Sequence, residues 1–448
     1  MPIDHYLPHT PEEREEMLRA MGFSTVMELM KAAVPEALWT RSGLSLPEPL
    51  SEAEAVELLE RLAALNRSDI KLFLGGGAYD AYAPAIVDSV ISRSEFYTAY
   101  TPYQPEVSQG TLQAMYEFQS LVCQLTGMEV SNASVYDGGS ALAEAILMAF
   151  RVKGVHRVAL PRNLNPLYRA VVETYLHGLG PEIIDVDYDK ETGRISAESL
   201  ISALEKGPAA AVVQHPNFFG VLEDPFELSE IVHQKGALLI SFFDPTSLGI
   251  LAPPGEYRAD IAVAEAQSLG LPLSFGGPYL GLFTARMEFI RQMPGRIVGV
   301  TQDVDGKRGF VTTLQTREQH IRREKATSNI CTNQQLVALA VSVYLSAMGK
   351  EGIREVAEQS TQKAHYLADR IASLPGWGLL FKGPFYREFS VYNEKKKAPE
   401  VIKALADRGF FVGPELPGDV CEYSFNIAVT EKRTKEEMDA LVSAMAEI

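Results

Sequence analysis

The chain of 448 residues is short of several things, and each shortage excludes a class of behaviour. Its three cysteines, Cys123, Cys331 and Cys421, lie far apart and form no Cys-x-x-Cys pair. That excludes a disulfide framework and gives no metal-binding spacing, and it suits a reducing compartment in which each thiol is buried and inert. No run of about 18 apolar residues offers a membrane span, and the opening MPIDHYLPHTPEEREEML has no apolar core of an export signal. The expected place is the cytoplasm, with no membrane anchor. Basic charge is also scarce: 41 Lys and Arg stand against 58 Asp and Glu, a net charge of −17. Nucleic acid requires a basic footprint, so it is not an expected partner. Lysine fails most locally, because none occurs between Lys235 and Lys307.

What is present is ordinary globular material, 46% hydrophobic, enough for a large core. Residues 1–70 read as a helical arm: Thr10 or Pro11 opens a first helix, Ser24 caps a second and Ser51 starts a third, with a Pro-rich link Leu44 to Leu50 before it. A flexible turn at Gly75 to Gly77 follows. The segment FYTAYTPYQPEVSQG, Phe96 to Gly110, holds tyrosines 97, 100 and 103 among prolines that forbid a regular helix or central strand. It is either the wall of a site or a loop whose tyrosines only pack. A helix then runs from Ser108 to Leu125 and stops at Gly127, and a second begins after Asp137-Gly138-Gly139-Ser140. Glycines and a hydroxyl at a helix start suit an anion. Asp137 and Ser140 would equally serve as caps, and an aspartate beside the cradle disfavours a phosphate.

From Val155 to Phe243 strands and helices alternate, which predicts right-handed crossovers and an α/β fold built on a mostly parallel, doubly wound sheet. His215 follows its strand directly, at a ligand-facing end, where it can stack on a ring or bond its own loop. The strand Ala237 to Phe243 ends in Asp244, and a second apolar run, Ala259 to Val263, leads to a Gly/Pro-rich turn. An aspartate at such a strand end, followed some twenty to thirty residues later by a lysine, is how aminotransferase-type pyridoxal phosphate (PLP) enzymes hold the ring nitrogen and form the Schiff base. Here the aspartate is present and the lysine is missing. The charged stretch Thr316 to Lys325 reads as a solvated or interface helix with i,i+4 pairs, followed by a polar Thr327-Ser328-Asn329 turn that could reach an anion. A long helix from Gln334 introduces a smaller C-terminal α/β domain. The expected domains are 1–70, 71–333 and 334–448.

Four blocks, FYTAYTPYQPEVSQG, NASVYDGG, AEAQSLGLPLSFGGPYLG and REQHIRREKATSNICTNQ, together closely resemble the N-terminal half of the glycine decarboxylase P-protein, and the separate chain that replaces this half in two-subunit versions. The resemblance covers most of the chain. It implies a PLP-dependent fold type I architecture, an α2β2 assembly with a lysine-bearing companion, and a place in the glycine cleavage system. There P-protein decarboxylates PLP-bound glycine and passes the aminomethyl carbon to the lipoyl arm of H-protein. The companion half carries a His-Lys-Thr sequence before the same turn, which sets Gln267 at or beside the lysine's place. An amide cannot condense with an aldehyde.

The resemblance therefore implies a vestigial cofactor site in this chain, with Asp137, Gly138, Gly139, Ser140, His215, Asp244 and Gln267 as its remnants and PLP bound covalently by the partner. Thr98, Tyr100, Tyr103 and Gln104 are expected to complete the partner's site, and Ser328 and Asn329 to reach the partner's PLP phosphate. Two other readings remain at this level: a stand-alone enzyme using a displaced lysine, Lys307 or Lys325, and a non-catalytic binding or regulatory protein on a PLP-type scaffold.

Overall fold

The structure is a computed structural model and describes residues 8–39, 45–330 and 333–448. Leu44 and Cys331 lie outside the described residues. By contact density the chain divides into two compact units, Met1–Ser68 and Asp69–Ile448.

The first unit carries the helices Pro11–Ala20, Val26–Ala33 and Glu52–Ala63. Thr10 and Ser51 close capping boxes with Glu13 and Glu54. The second helix departs from expectation by one residue. Its cap is Thr25, whose side chain accepts from the Glu28 N–H, while Ser24 offers only its backbone N–H to the Glu28 carboxylate.

The second unit is built on a seven-stranded sheet. Its spatial order is Val130–Ser131, Gly281–Ala285, Ile261–Glu265, Leu238–Phe243, Ala210–His215, Arg157–Pro161 and Glu182–Val186. The five strands from Ile261–Glu265 to Glu182–Val186 run parallel. The strand Gly281–Ala285 turns back antiparallel, and Val130–Ser131 pairs antiparallel with it. Crossover helices cover both faces, which is why the inner strands read as unbroken apolar runs, while the edge strand Glu182–Val186 exposes Glu182 and Asp185. Along Leu238–Phe243 the residues divide: Leu239 and Phe243 enter one core with Ala338, Val341 and Tyr344. Leu238, Ile240 and Phe242 enter the other, with the helix Gly138–Lys153.

The C-terminal layer holds an antiparallel sheet of Trp377–Leu379, Glu388–Asn393 and Ser424–Ala428. Beside it, Lys71–Leu74 pairs parallel with Phe410–Gly413. The chain thus enters this layer at residue 71, before the large sheet begins, whereas the sequence reading counted residue 71 onward with the large domain.

The long helix Gln335–Ala372 is interrupted at Gly349, whose φ of 59° lies in the left-handed region. By length and composition it could cross a membrane. Its Val341, Tyr344, Ala357, Ala364 and Leu367 are fully buried in the protein's own cores, as in the core helix of a globular protein. The stretch after the strand Gly281–Ala285 is a 3-10 segment, Met287–Gln292.

The charged stretch 316–325 also departs from its expected form. It is broken into the short turns Gln315–Arg317, Gln319–Arg322 and Arg323–Lys325. Two of its charged residues, Arg317 and Glu318, turn inward, while Arg322, Arg323, Glu324 and Lys325 stay exposed. Arg317 donates to the carbonyls of Met293 and Gly295, and the Arg296 guanidinium lies 3.4 Å from the Glu318 carboxylate, both side chains almost wholly buried. Tertiary hydrogen bonding, not i,i+4 pairing, fixes this segment.

Candidate active site

Two strand ends and one helix start meet where a fold of this kind binds its ligand, at the carboxyl edge of the parallel sheet. The strand Leu238–Phe243 delivers Asp244, Ile261–Glu265 delivers Glu265, and the N-terminus of the helix Gly138–Lys153 meets Glu265.

The helix start is already answered from within the chain. Asp137 caps it, accepting from the Ser140 N–H at 2.7 Å and the Ser140 hydroxyl at 2.9 Å. The Gly138 N–H donates to Glu265 Oε2 at 2.9 Å, and Glu265 Oε1 accepts from the N–H groups of Gln267 and Leu280. Burial, with Asp137 adding to it, pushes the Glu265 carboxyl up to about 8, although three backbone N–H groups pull the other way. A side-chain β-carbon on Gly138 would meet Glu265 Cβ at 2.9 Å and Phe242 at 3.0 Å, so only glycine allows this approach.

Asp244 is answered as well. Arg387 Nη2 lies 2.6 Å from Asp244 Oδ2, and the guanidinium carbon stands 3.6 Å from the centroid of the Tyr79 ring. Burial opposes the Arg387 charge, but Asp244, Tyr79 and Tyr386 outweigh it, and the guanidinium is held more firmly protonated than usual. The other Asp244 oxygen accepts from the Thr246 N–H and hydroxyl. Beside the pair, Glu388 accepts from the Gly76 N–H and from the Tyr79 hydroxyl, both at 2.8 Å. Burial lifts its carboxyl to about 7.

Gln267 is 1% exposed. Its amide oxygen accepts from the Tyr79 N–H at 2.7 Å, and its amide nitrogen donates to the carbonyls of Tyr79 and Leu271. His215 does not stack on anything in this cavity. Its Nδ1 accepts from the Glu223 N–H at 3.1 Å, and burial depresses its pKa to about 4, so a neutral ring serves its own loop.

These residues do not fit a covalently held PLP. No lysine lines the cavity. The acid that would meet a pyridinium already holds a guanidinium, and the N–H that would meet a phosphate already holds a carboxylate with a second carboxylate beside it. Lys307 does not replace the missing amine: its side chain is 78% exposed on a hairpin, paired with Asp305. Lys325 is exposed too, and neither lines this cavity.

The second set of expected residues lies elsewhere. Thr98 is exposed, its hydroxyl donating to the Ser94 carbonyl at 2.7 Å. Tyr100 is 77% exposed and Gln104 is exposed. Tyr103 sets its ring edge-on to His320 at 5.6 Å and near the Arg296 guanidinium at 5.3 Å. The tyrosine loop and the charged segment are therefore neighbours. At the turn beyond them, Asn329 is exposed, but the Ser328 hydroxyl donates to Glu144 at 2.8 Å and accepts from the Ile330 N–H. Sequence reasoning missed Tyr79, Glu265, Arg387, Glu388 and His320. For Glu265 a signal existed: one acid breaks the otherwise apolar run IAVAEA.

Residues 4–445 match the family model described as glycine cleavage system P-protein. A relative from Chlorobium chlorochromatii named "probable glycine dehydrogenase (decarboxylating) subunit 1" is 51% identical, covering 98% of this chain and 99% of its own. One of the same name from Moorella thermoacetica is 50% identical, covering 98% of each. A crystal structure of glycine decarboxylase (P-protein) of the glycine cleavage system, in inhibitor-bound form, superposes with a TM-score of 0.91 at 44% identity over 99% of both chains. A sphingosine-1-phosphate lyase from Burkholderia pseudomallei, at 15% identity and a TM-score of 0.68 over 92% of this chain and 94% of its own, shares the fold alone. The architecture is fold type I, and the chain belongs to the glycine cleavage system P-protein family.

Proposed function

We propose that this chain is subunit 1 of a glycine decarboxylase whose second, lysine-bearing subunit holds PLP covalently. The pair decarboxylates PLP-bound glycine and transfers the aminomethyl group to lipoyl H-protein. The observation that carries the division of labour is the pairing of Gln267 with Tyr79 at the place of the amine. The Asp244–Arg387 ion pair supports it.

This chain's contribution is to complete the partner's pocket. Tyr100 and Asn329 present a hydroxyl and an amide on exposed loops, groups that orient a substrate carboxylate without adding an acid of unsuitable strength. Tyr103, set by its edge contact with His320, holds the tyrosine loop against the 316–329 segment. Thr98 and Gln104 extend the same wall, which positions the substrate and keeps water from the reacting carbon. The Ser328 hydroxyl serves this wall from inside, through Glu144, leaving Asn329 as the outward group of its turn. We place the assembly as an α2β2 heterotetramer.

Glycine-dependent exchange of labelled CO2 tests this reading, assayed with lipoylated H-protein and with this chain, the lysine-bearing chain, or both. Exchange that requires both chains is the expected result. Exchange supported by either chain alone would overturn the reading.

A further inference from the structure

The space between Asp244, Glu388 and Arg387 is walled by Tyr79, Tyr168 and Phe242. Arg387 is 1% exposed, yet its Nε and Nη1 have no hydrogen-bond partner, and the residue borders this space. Buried guanidinium donors left unmet are costly, so they mark a missing acceptor. Acceptors for a cation lie beside them. Each Glu388 oxygen holds a single hydrogen bond, one from Gly76 and one from Tyr79, and each retains a lone pair.

Charge balance narrows the class of ligand. Burial raises Glu265 to about 8 and Glu388 to about 7, so at neutral pH Glu265 is mostly protonated while Glu388 is about half ionised beside the Asp244–Arg387 ion pair. A phosphate would face the Asp244 and Glu388 carboxylates, and a bare cation would face the guanidinium. A molecule carrying both charges a few bonds apart satisfies both sides. The tilted Tyr168 and Phe242 rings, 4.7 Å apart, close the far wall and keep the ligand small.

We propose that this cavity binds a free α-amino acid with a small or absent side chain, non-covalently, its carboxylate on Arg387 and its ammonium against Glu388 and Asp244. The site belongs to this chain alone, so it stands or falls separately from the shared activity proposed above.

Equilibrium dialysis of labelled glycine against the full chain, without its partner, counts the site. One glycine per chain is expected, with acetate, methylamine and phosphate each competing roughly tenfold more weakly or worse. The charge-conserving double variant Asp244→Asn/Arg387→Gln should abolish binding. Glu388→Gln retains an acceptor for Gly76 and a partner for Tyr79, so it should fold, and it should weaken binding roughly tenfold. Absence of glycine binding at about 10 mM would overturn the proposal. So would binding indifferent to Glu388→Gln, or phosphate competing as well as glycine.

Discussion

Gln267 and Tyr79 are joined in both directions: the amide oxygen accepts from the Tyr79 N–H at 2.7 Å, and the amide nitrogen donates to the Tyr79 carbonyl at 3.0 Å. A lysine can replace only the second of these bonds. Gln267→Lys would leave the Tyr79 N–H facing a buried cation, and the chain should lose on the order of 2 to 4 kcal/mol in urea unfolding. Incubation of this variant with pyridoxal phosphate and borohydride should leave residue 267 unlabelled, because Asp244 and Gly138 remain engaged by Arg387 and Glu265. A stable, labelled variant would refute this account of the cavity.

Tyr100 and Asn329 are exposed and absent from the apolar cores. Replacing either with Ala should shift stability by less than about 0.5 kcal/mol. Turnover of the assembled complex should fall roughly tenfold or more, with its elution volume on size exclusion unchanged. Unaltered decarboxylation would remove these residues from the partner's site.

Ser328 behaves differently because its hydroxyl bonds the buried carboxyl of Glu144, which burial holds above the usual range and whose other oxygen has no hydrogen-bond partner. Ser328→Ala should destabilise the chain by about 1 to 2 kcal/mol and reduce turnover less than Asn329→Ala does. The opposite ranking in denaturation and rate measurements would restore Ser328 to a direct role.

The parallel sheet was legible because both of its faces are covered, so the inner strands of Val155 to Phe243 wrote themselves as apolar runs between helices with clear caps. Asp137 at its cap and His215 at its strand end were legible for similarly local reasons, whereas Gln267 was singled out only by the resemblance to the lysine-bearing half. Arg387 was not. It immediately precedes the strand Glu388–Asn393, far along the chain from Asp244, and only the folding of the C-terminal layer over the sheet edge joins them. The 316–325 segment misled for a related reason: its charges satisfy the helical pairing pattern, yet buried partners at Met293, Gly295 and Arg296 outcompete it. Local sequence carries caps and periodicity, whereas charges paired across layers are visible only in three dimensions.

Glu388 links the cavity to pH. Its carboxyl is raised by burial to about 7 in the folded chain and titrates near about 4.3 when unfolded. Between those values the folded state holds a proton that the unfolded state lacks, so stability falls as pH rises through this window and levels off above about 7. The loss is on the order of 3 kcal/mol. Glu388→Gln should remove it, giving a flatter stability profile from about pH 5 to 8. Glu223 and Glu265 act in the same sense and His215 in the opposite one, so the wild-type and variant curves must be subtracted. Parallel curves would show that Glu388 does not titrate as described.

The central claim is that the covalent step lies outside this chain, and peptide mapping after borohydride reduction tests it most directly. The reconstituted two-chain complex, loaded with pyridoxal phosphate and reduced, should carry the label on a lysine of the partner subunit and none on this chain. A pyridoxyl-lysine recovered from this chain, at Lys307, Lys325 or any other position, would contradict it.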